Sequence, residues 1–279
     1  MFNKLIHSFR RDFYVKPLRL TKRSLQLARK VQVVVYLPPD YYSNRKQDFP
    51  LIIFNDGQDF ERLGMEKVLK HVYGNALMRS AIVVGVCADS HRVLEYGTAA
   101  CKAYNGFGSM ANRYTRFIMS ELVPYLRSQY RVTNVVEDTI IAGFSLGGLS
   151  ALDIAWAHSE TFGKVGVFSG SLWWRHTAFR EEDPDADRIM FEIIEKTEKR
   201  EGLKFWFQTG TNDEKSDRNN NGVIDAIDDI HDMMKLLHLK GYADEDMYYR
   251  EVQDGEHNPD TWGAVMPEFL EWALGNQKD

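Results

Sequence analysis

Seven short apolar runs, each closed by turn residues, recur along the 279-residue chain and alternate with stretches of helical period. The runs are VQVVVYLPP (31–39), LIIFNDG (51–57), AIVVGVC (81–87), TIIAGFS (139–145), KVGVFSG (164–170), KFWFQTG (204–210) and MYYREV (247–252). They are largely apolar at consecutive positions, the mark of strands covered on both faces. Helical period fills about 112–129, 146–159, 187–200, 227–240 and 260–274. This alternation predicts an α/β fold, with a mostly parallel central sheet, helices on both faces and a single domain over 1–279. In such sheets ligands bind at the carboxyl ends of the strands. The residues that follow each strand are therefore the ones to read for chemistry.

After TIIAGF comes Ser145, inside Gly143-Phe144-Ser145-Leu146-Gly147-Gly148. G-x-S-x-G between a strand and a helix is a nucleophile elbow, with glycines where strand and helix approach closely. A serine needs a base to become a nucleophile. Of eight histidines, His257 lies in QDGEHNPDTW, between the last strand and a helix that starts with proline. An acid should follow a strand between the two, to orient the imidazole and stabilise its cation. Asp213, three residues beyond KFWFQTG, fits best, with its neighbour Glu214 as the second choice. The oxyanion of an ester intermediate requires two backbone N–H donors, expected on Leu146 and on Gln58 in the turn after LIIF. Residues 89–112 are expected to form a loop over the site, since long loops in compact domains are often functional.

Segment 217–228 carries a second pattern. Asp217, Asn219, Asn221, Gly222, Val223, Ile224, Asp225 and Asp228 fall at the spacing of an EF-hand loop, with Asp in the final position where Glu is usual. The expected calcium ligands are Asp217, Asn219, Asn221, the Val223 carbonyl, Asp225 and Asp228, bound weakly at ~10⁻⁵ to 10⁻³ M. A leaving helix follows at 227–240, but no helix enters. The alternative is an Asn/Gly turn that caps the next helix. An ion here would be structural and would hold the acid-bearing loop.

Net charge is −5, which makes no case for nucleic acid. The charge is uneven: residues 1–30 hold nine Lys/Arg against the single acid Asp12, leaving 26 basic and 39 acidic residues elsewhere. This arm reads as a first strand from Phe13 to Leu20 with a basic wet face. Phe2, Leu5, Ile6, Phe9 and Phe13 also fall at helical spacing, which would suit a membrane surface. No run is long enough to span a membrane, and charges interrupt any signal-peptide core. Cys87 and Cys101 have no metal or redox spacing, consistent with a reducing, cytoplasmic setting. The calcium-like loop is in mild conflict with that compartment.

VVVYLPPDYY, PLIIFNDGQDF, ELVPYLRSQYRV, IIAGFSLGGLSAL, FGKVGVFSGSLWW, FQTGTNDE and GEHNPDTWGAVMPEFLEWAL together resemble the esterase D and enterochelin-esterase-like branch of the α/β-hydrolases. The resemblance covers most of the chain and implies an α/β-hydrolase fold. It implies Ser145 as nucleophile, His257 as base, an acid in TGTNDE, a donor at Gln58, and a substrate cleft near Trp173, Trp174 and Trp262. It also implies serine esterase activity on a carbohydrate-linked, aryl or siderophore-type ester, with no organic cofactor. Thioester hydrolysis, acyl transfer, or a silent calcium-binding module on the same scaffold are the alternatives. The NNNG segment departs from the pattern.

Overall fold

The computed structural model describes residues 15–276. Its strands are β1 Pro17–Ser24, β2 Arg29–Tyr36, β3 Leu51–Asn55, β4 Ile82–Val86, β5 Thr139–Phe144, β6 Lys164–Phe168, β7 Lys204–Asn212 and β8 Met247–Glu256. They form one sheet in the order β1-β2-β4-β3-β5-β6-β7-β8. From β4 to β8 every pairing is parallel, while β2 pairs antiparallel with both β1 and β4. The basic segment does form the first strand, as a hairpin with β2, but its described strand begins at Pro17 and runs to Ser24. The apolar spacing from Phe2 to Phe13 lies outside the described residues.

The helices are α1 Met65–Gly74, α2 Arg92–Glu95, α3 Ala111–Arg116, α4 Val123–Gln129, α5 Leu146–Ala157, α6 Ile189–Lys196, α7 Asp225–Leu239 and α8 Pro259–Leu274. Side chains alternate along each strand, and so two cores form. Ile52, Phe54, Val83, Phe144, Phe168 and Trp206 face α1 and α8. Ile53, Val84, Ile141, Val165 and Phe207 face α3 to α7. The helical run expected at 112–129 is present, but Phe117–Leu122 widens into π geometry just before Pro124. Proline has no N–H for an α-helical bond, so the turn before it is a natural place for the widening.

Helix α1 was not expected. Its buried Met65, Val68, Leu69, Val72 and Tyr73 have helical spacing, but it starts at Gly64 with no side-chain cap. Helix α8 carries Pro267 in its interior, which removes one hydrogen bond from its ladder. No helix among the described residues is long and apolar enough to cross a membrane.

Candidate active site

Ser145 stands between β5 and α5 with φ 56° and ψ −124°. A non-glycine residue at such a φ is strained and persists only where its surroundings hold it. Here the glycines on either side make the turn possible. A Cβ on Gly143 would lie 2.2 Å from the Gly147 carbonyl oxygen, and one on Gly147 would lie 2.5 Å from Asp56 Oδ2. The Ser145 N–H donates to the Phe168 carbonyl at 2.8 Å, and the Ser171 N–H donates to the Ser145 carbonyl at 3.2 Å. Both bonds tie the turn to the end of β6. Leu146 is the first residue of α5, so its N–H has no acceptor within the helix.

The turn after β3 forms the facing wall. Asp56 adopts φ 65° and is almost fully buried. Its carboxylate accepts two bonds from Arg92, each 2.7 Å, and Arg92 also donates to the Phe144 carbonyl at 3.2 Å. Asn55 donates to the Gly147 carbonyl at 2.7 Å and accepts from the Tyr114 hydroxyl at 2.6 Å. The Asp56 N–H donates to the Tyr96 oxygen at 3.1 Å. Burial pushes both of these phenols well up from their ordinary range. Gln58 is fixed by its side chain, which accepts from the Ala88 N–H at 2.8 Å and donates to Asp56 Oδ1 at 2.9 Å. Its own N–H lies in the first turn of a short 3₁₀ helix, Gly57–Asp59, where no intrahelical acceptor exists.

The loop of residues 89–112 is anchored to this wall through Arg92 on α2. It is also tied to α5: the Gly97 N–H donates to Ser150 Oγ at 2.7 Å and the Ala99 N–H to Asp153 Oδ2 at 2.9 Å. Asp153 is buried, and burial raises its carboxyl to about 7. None of Asn55, Asp56, Arg92, Tyr96 and Tyr114 was singled out from the sequence. The signal available was a pair of polar residues, Asn55-Asp56, ending an apolar run.

The expected acid and base sit at the far edge of the sheet. β7 runs two residues beyond the expected end at Gly210, so Asp213 directly follows the strand. Its side chain is 1% exposed, and Oδ2 lies 3.7 Å from His257 Nδ1. Oδ2 also accepts from the Thr209 hydroxyl at 2.9 Å, while Oδ1 is buried without a partner. At this separation the carboxylate faces the imidazole from beyond hydrogen-bonding distance. Glu214 lies beside Lys215, Asn258 and His257 around a groove of about 430 Å³. Burial, followed by the charge of Asp225, raises its carboxyl.

β8 also runs past its expected end, to Glu256, so His257 directly follows the strand. The ladder passes from Gly210↔Val252 to Asn212↔Glu256, a bulge of extra residues on β8. A Cβ on Gly210 would lie 2.2 Å from the Gly255 carbonyl oxygen, so only glycine lets the bulge close onto β7. Asn258 then caps α8, accepting from the Thr261 N–H at 3.0 Å.

The three tryptophans expected at the cleft part company. Trp173 is 48% exposed, whereas Trp174 and Trp262 are 1% and 6% exposed. Trp174 packs beneath Phe107 and against Gly97 and Gly108, and therefore offers no ring face to a ligand. Trp262 stacks on Phe144 and meets His257 edge-on, with centroids 5.0 and 5.3 Å apart. Its indole N–H donates to Ser169 Oγ at 2.9 Å. Trp262 thus bridges the imidazole and the elbow from within the core.

In segment 217–228, Asp217 accepts from the N–H groups of Asn221 and Gly222 at 3.1 and 2.9 Å. Asn219 and Asn221 both donate to Asp228 Oδ2 at 2.9 Å. Asp217, Asn219, Asn221 and Asp228 therefore gather around one centre. Asp225 does not join them: its Oδ1 accepts from the Arg218 N–H at 2.7 Å and lies 3.4 Å from the Arg218 guanidinium. Arg218 in turn pairs with Asp185 and with buried Asp229 at 2.8 and 3.0 Å. Another acidic group, Asp89, His91 and Glu95, is close enough to hold an ion, but Arg29 already pairs with Asp89 and Glu95 at 3.1 and 2.5 Å.

The chain is 24% identical over 252 residues to the uncharacterized protein YjcH of Bacillus subtilis, covering 90% of this chain and 94% of that one. It is 27% identical over 156 residues to the iron(III) enterobactin esterase of Escherichia coli, covering 55% of this chain and 34% of that protein. Among solved structures, a ferulic acid esterase superposes with TM-score 0.72 at 19% identity, over 94% of this chain and 98% of that one. The enterobactin esterase of Shigella flexneri superposes with TM-score 0.72 at 21% identity, over 92% of this chain and 58% of that one. These two share the fold. The model of the Putative esterase family matches residues 24–273, and the chain belongs to that family of α/β-hydrolases.

Proposed function

We propose that the protein is a serine carboxylic-ester hydrolase in which Ser145 is the nucleophile, His257 the base and Asp213 the orienting acid. One observation carries this reading: a strained serine after β5 shares a sheet end with an Asp213–His257 pair after β7 and β8. His257 Nδ1 faces the carboxylate, which leaves Nε2 to take the Ser145 proton. Ser145 Oγ then attacks the ester carbonyl, and the tetrahedral oxyanion is met by the N–H groups of Leu146 and Gln58. His257 protonates the leaving alcohol, and water, activated by the same imidazole, releases the acid from the acyl-enzyme. Glu214 remains outside this sequence of steps.

The substrate class is an aryl, carbohydrate-linked or siderophore-type ester. The exposed ring of Trp173 supports a planar group, as does the likeness to enterobactin and ferulic acid esterases. The test is hydrolysis of a short aryl ester by wild type and Ser145→Ala. The variant is expected to lose at least about 10⁴-fold in kcat. Equal rates would remove the triad. Failure of a fluorophosphonate to label Ser145 in folded protein would instead favour a binding module. An acyl-enzyme that partitions to added alcohols or forms from thioesters would favour transferase or thioesterase chemistry.

The same reading gives segment 217–228 a structural calcium ion. Asp217, Asn219, Asn221 and Asp228 would hold it together with the Val223 carbonyl. Hard oxygen donors suit calcium. The ion would brace the loop behind Asp213 and would touch no substrate. Calorimetric titration with calcium should give heat and a raised melting temperature; the absence of both refutes the ion without touching the esterase.

A further inference from the structure

A second row of nucleophile, base and acid uses none of the residues assigned to ester hydrolysis. Cys101 Sγ is 3.1 Å from His176 Nδ1, and the other ring nitrogen, Nε2, is 3.3 Å from Glu192 Oε1. The carboxylate favours the tautomer that carries its proton on Nε2, which leaves Nδ1 as an acceptor facing the thiol. The three residues come from three segments: Cys101 from the loop before α3, His176 from the segment after β6, and Glu192 from α6. Each is held in place. The Thr98 hydroxyl donates to the Cys101 carbonyl at 2.7 Å. The Tyr104 N–H donates to the Arg175 carbonyl at 3.1 Å, and the His176 N–H donates to the Asp187 carbonyl at 3.0 Å. Cys101 is half-buried and packs against the core, while the His176 and Glu192 side chains are about one-third exposed.

Charges around the row pull both ways. Glu192 is shared with Lys196, whose ammonium lies 2.5 Å from Oε2. Lys102 and Arg175 are the chain neighbours of Cys101 and His176, and the Lys102 carbonyl, 3.3 Å from the sulfur, is a competing acceptor for the thiol proton. The second cysteine is a built-in contrast. Burial raises the Cys87 thiol; Arg19 opposes the shift, while Asp56 and Asp59 add to it.

We propose that Cys101 is a reactive thiol, activated by His176 and positioned through Glu192, that is modified by small electrophiles and by hydroperoxides. The thiol proton moves to His176 Nδ1, and the thiolate attacks the terminal oxygen of the hydroperoxide. An S–O bond forms as the O–O bond breaks. Sulfur is oxidised to sulfenic acid, the peroxide is reduced to an alcohol or water, and the departing oxygen takes the proton back from His176. Ser145 takes no part.

The test is the rate at which iodoacetamide alkylates each cysteine of the folded protein at pH 6 and pH 8.5, read by peptide mass spectrometry. Cys101 is expected to react at least about tenfold faster than Cys87 at pH 6, because the reactive form is the thiolate. His176→Gln should remove that advantage at pH 6 and leave most of the rate at pH 8.5. Glu192→Gln should remove part of it. Hydrolysis of the aryl ester should be unchanged in both variants, which shows that they fold. Dimedone should trap Cys101, but not Cys87, after exposure to hydrogen peroxide. A Cys101 rate at pH 6 no faster than in the urea-unfolded chain, or one indifferent to His176→Gln, overturns the proposal. Fast alkylation without a dimedone adduct overturns its peroxide step.

Discussion

The nucleophile side and the acid–base side of the candidate site are built differently. Around Ser145 every neighbour is locked: two glycines in contact with backbone or a carboxylate, a buried Asp56–Arg92 pair, and backbone bonds to β6. Around His257 the contacts are longer and wetter. Its side chain is 40% exposed, the carboxylate stands 3.7 Å away, and the ring rests on the edge of Trp262. On the proposed reading, rigidity lies where charge would appear on an oxygen, since preorganised donors should not reorganise during the reaction. Latitude is left to the imidazole, which on that reading would serve first the nucleophile, then the leaving group and water.

The largest effect that tests this contrast is at Asp213. Asp213→Asn is expected to lower kcat by about 10³-fold to 10⁴-fold, with Glu214→Gln staying within about threefold of wild type. The reverse order, in ester-hydrolysis kinetics, would move the acid to Glu214. On the rigid side, Arg92→Ala leaves Asp56 as a buried unpaired charge and should cost about 3 kcal/mol in urea unfolding. A cost below about 1 kcal/mol would mean that the wall is not held by this pair.

Asp153 gives a pH-dependent comparison. Burial raises its folded carboxyl from the ordinary 3.8 to about 7. The folded state therefore holds a proton that the unfolded chain has released. This contribution is complete below the unfolded value and is lost as pH rises through about 7. Asp153→Asn should gain on wild type between pH 4 and pH 8 by about 2–4 kcal/mol, because only the aspartate must give up its proton over that range. Parallel stability profiles would show that Asp153 is already ionised in the fold. The smallest effect is expected at Trp262→Phe, which keeps the stack on Phe144 but loses the bond to Ser169. It should cost about 1 kcal/mol in stability. It should also lower kcat a few-fold at unchanged KM, whereas a rise in KM alone would make Trp262 a substrate contact.

Features of the chain that act over a few residues could be read from it directly. The seven apolar runs became β2 to β8 because continuous burial leaves a plain pattern, and Ser145 was found because the elbow needs two glycines at fixed offsets. Asp213 and Glu214 could not be separated with certainty, because adjacent residues after a strand differ only in the direction of their side chains. Trp173 and Trp174 posed the same problem, and only tertiary packing buries one of them. Asp56 and Arg92 are 36 positions apart, and no local pattern announces a pair at that distance. Helix α1 escaped because it begins at a glycine rather than at a capping side chain.

Pro267 divides α8 into two parts that differ in how readily they open. The missing N–H at this position breaks the ladder between the turn that carries Trp262 and the apolar stretch Phe269–Leu274. In hydrogen exchange the amides of the C-terminal part should follow global unfolding, and those around Trp262 should exchange through smaller local openings. The imidazole at the mouth of α8 can then shift with its own turn while the core beneath the sheet stays closed.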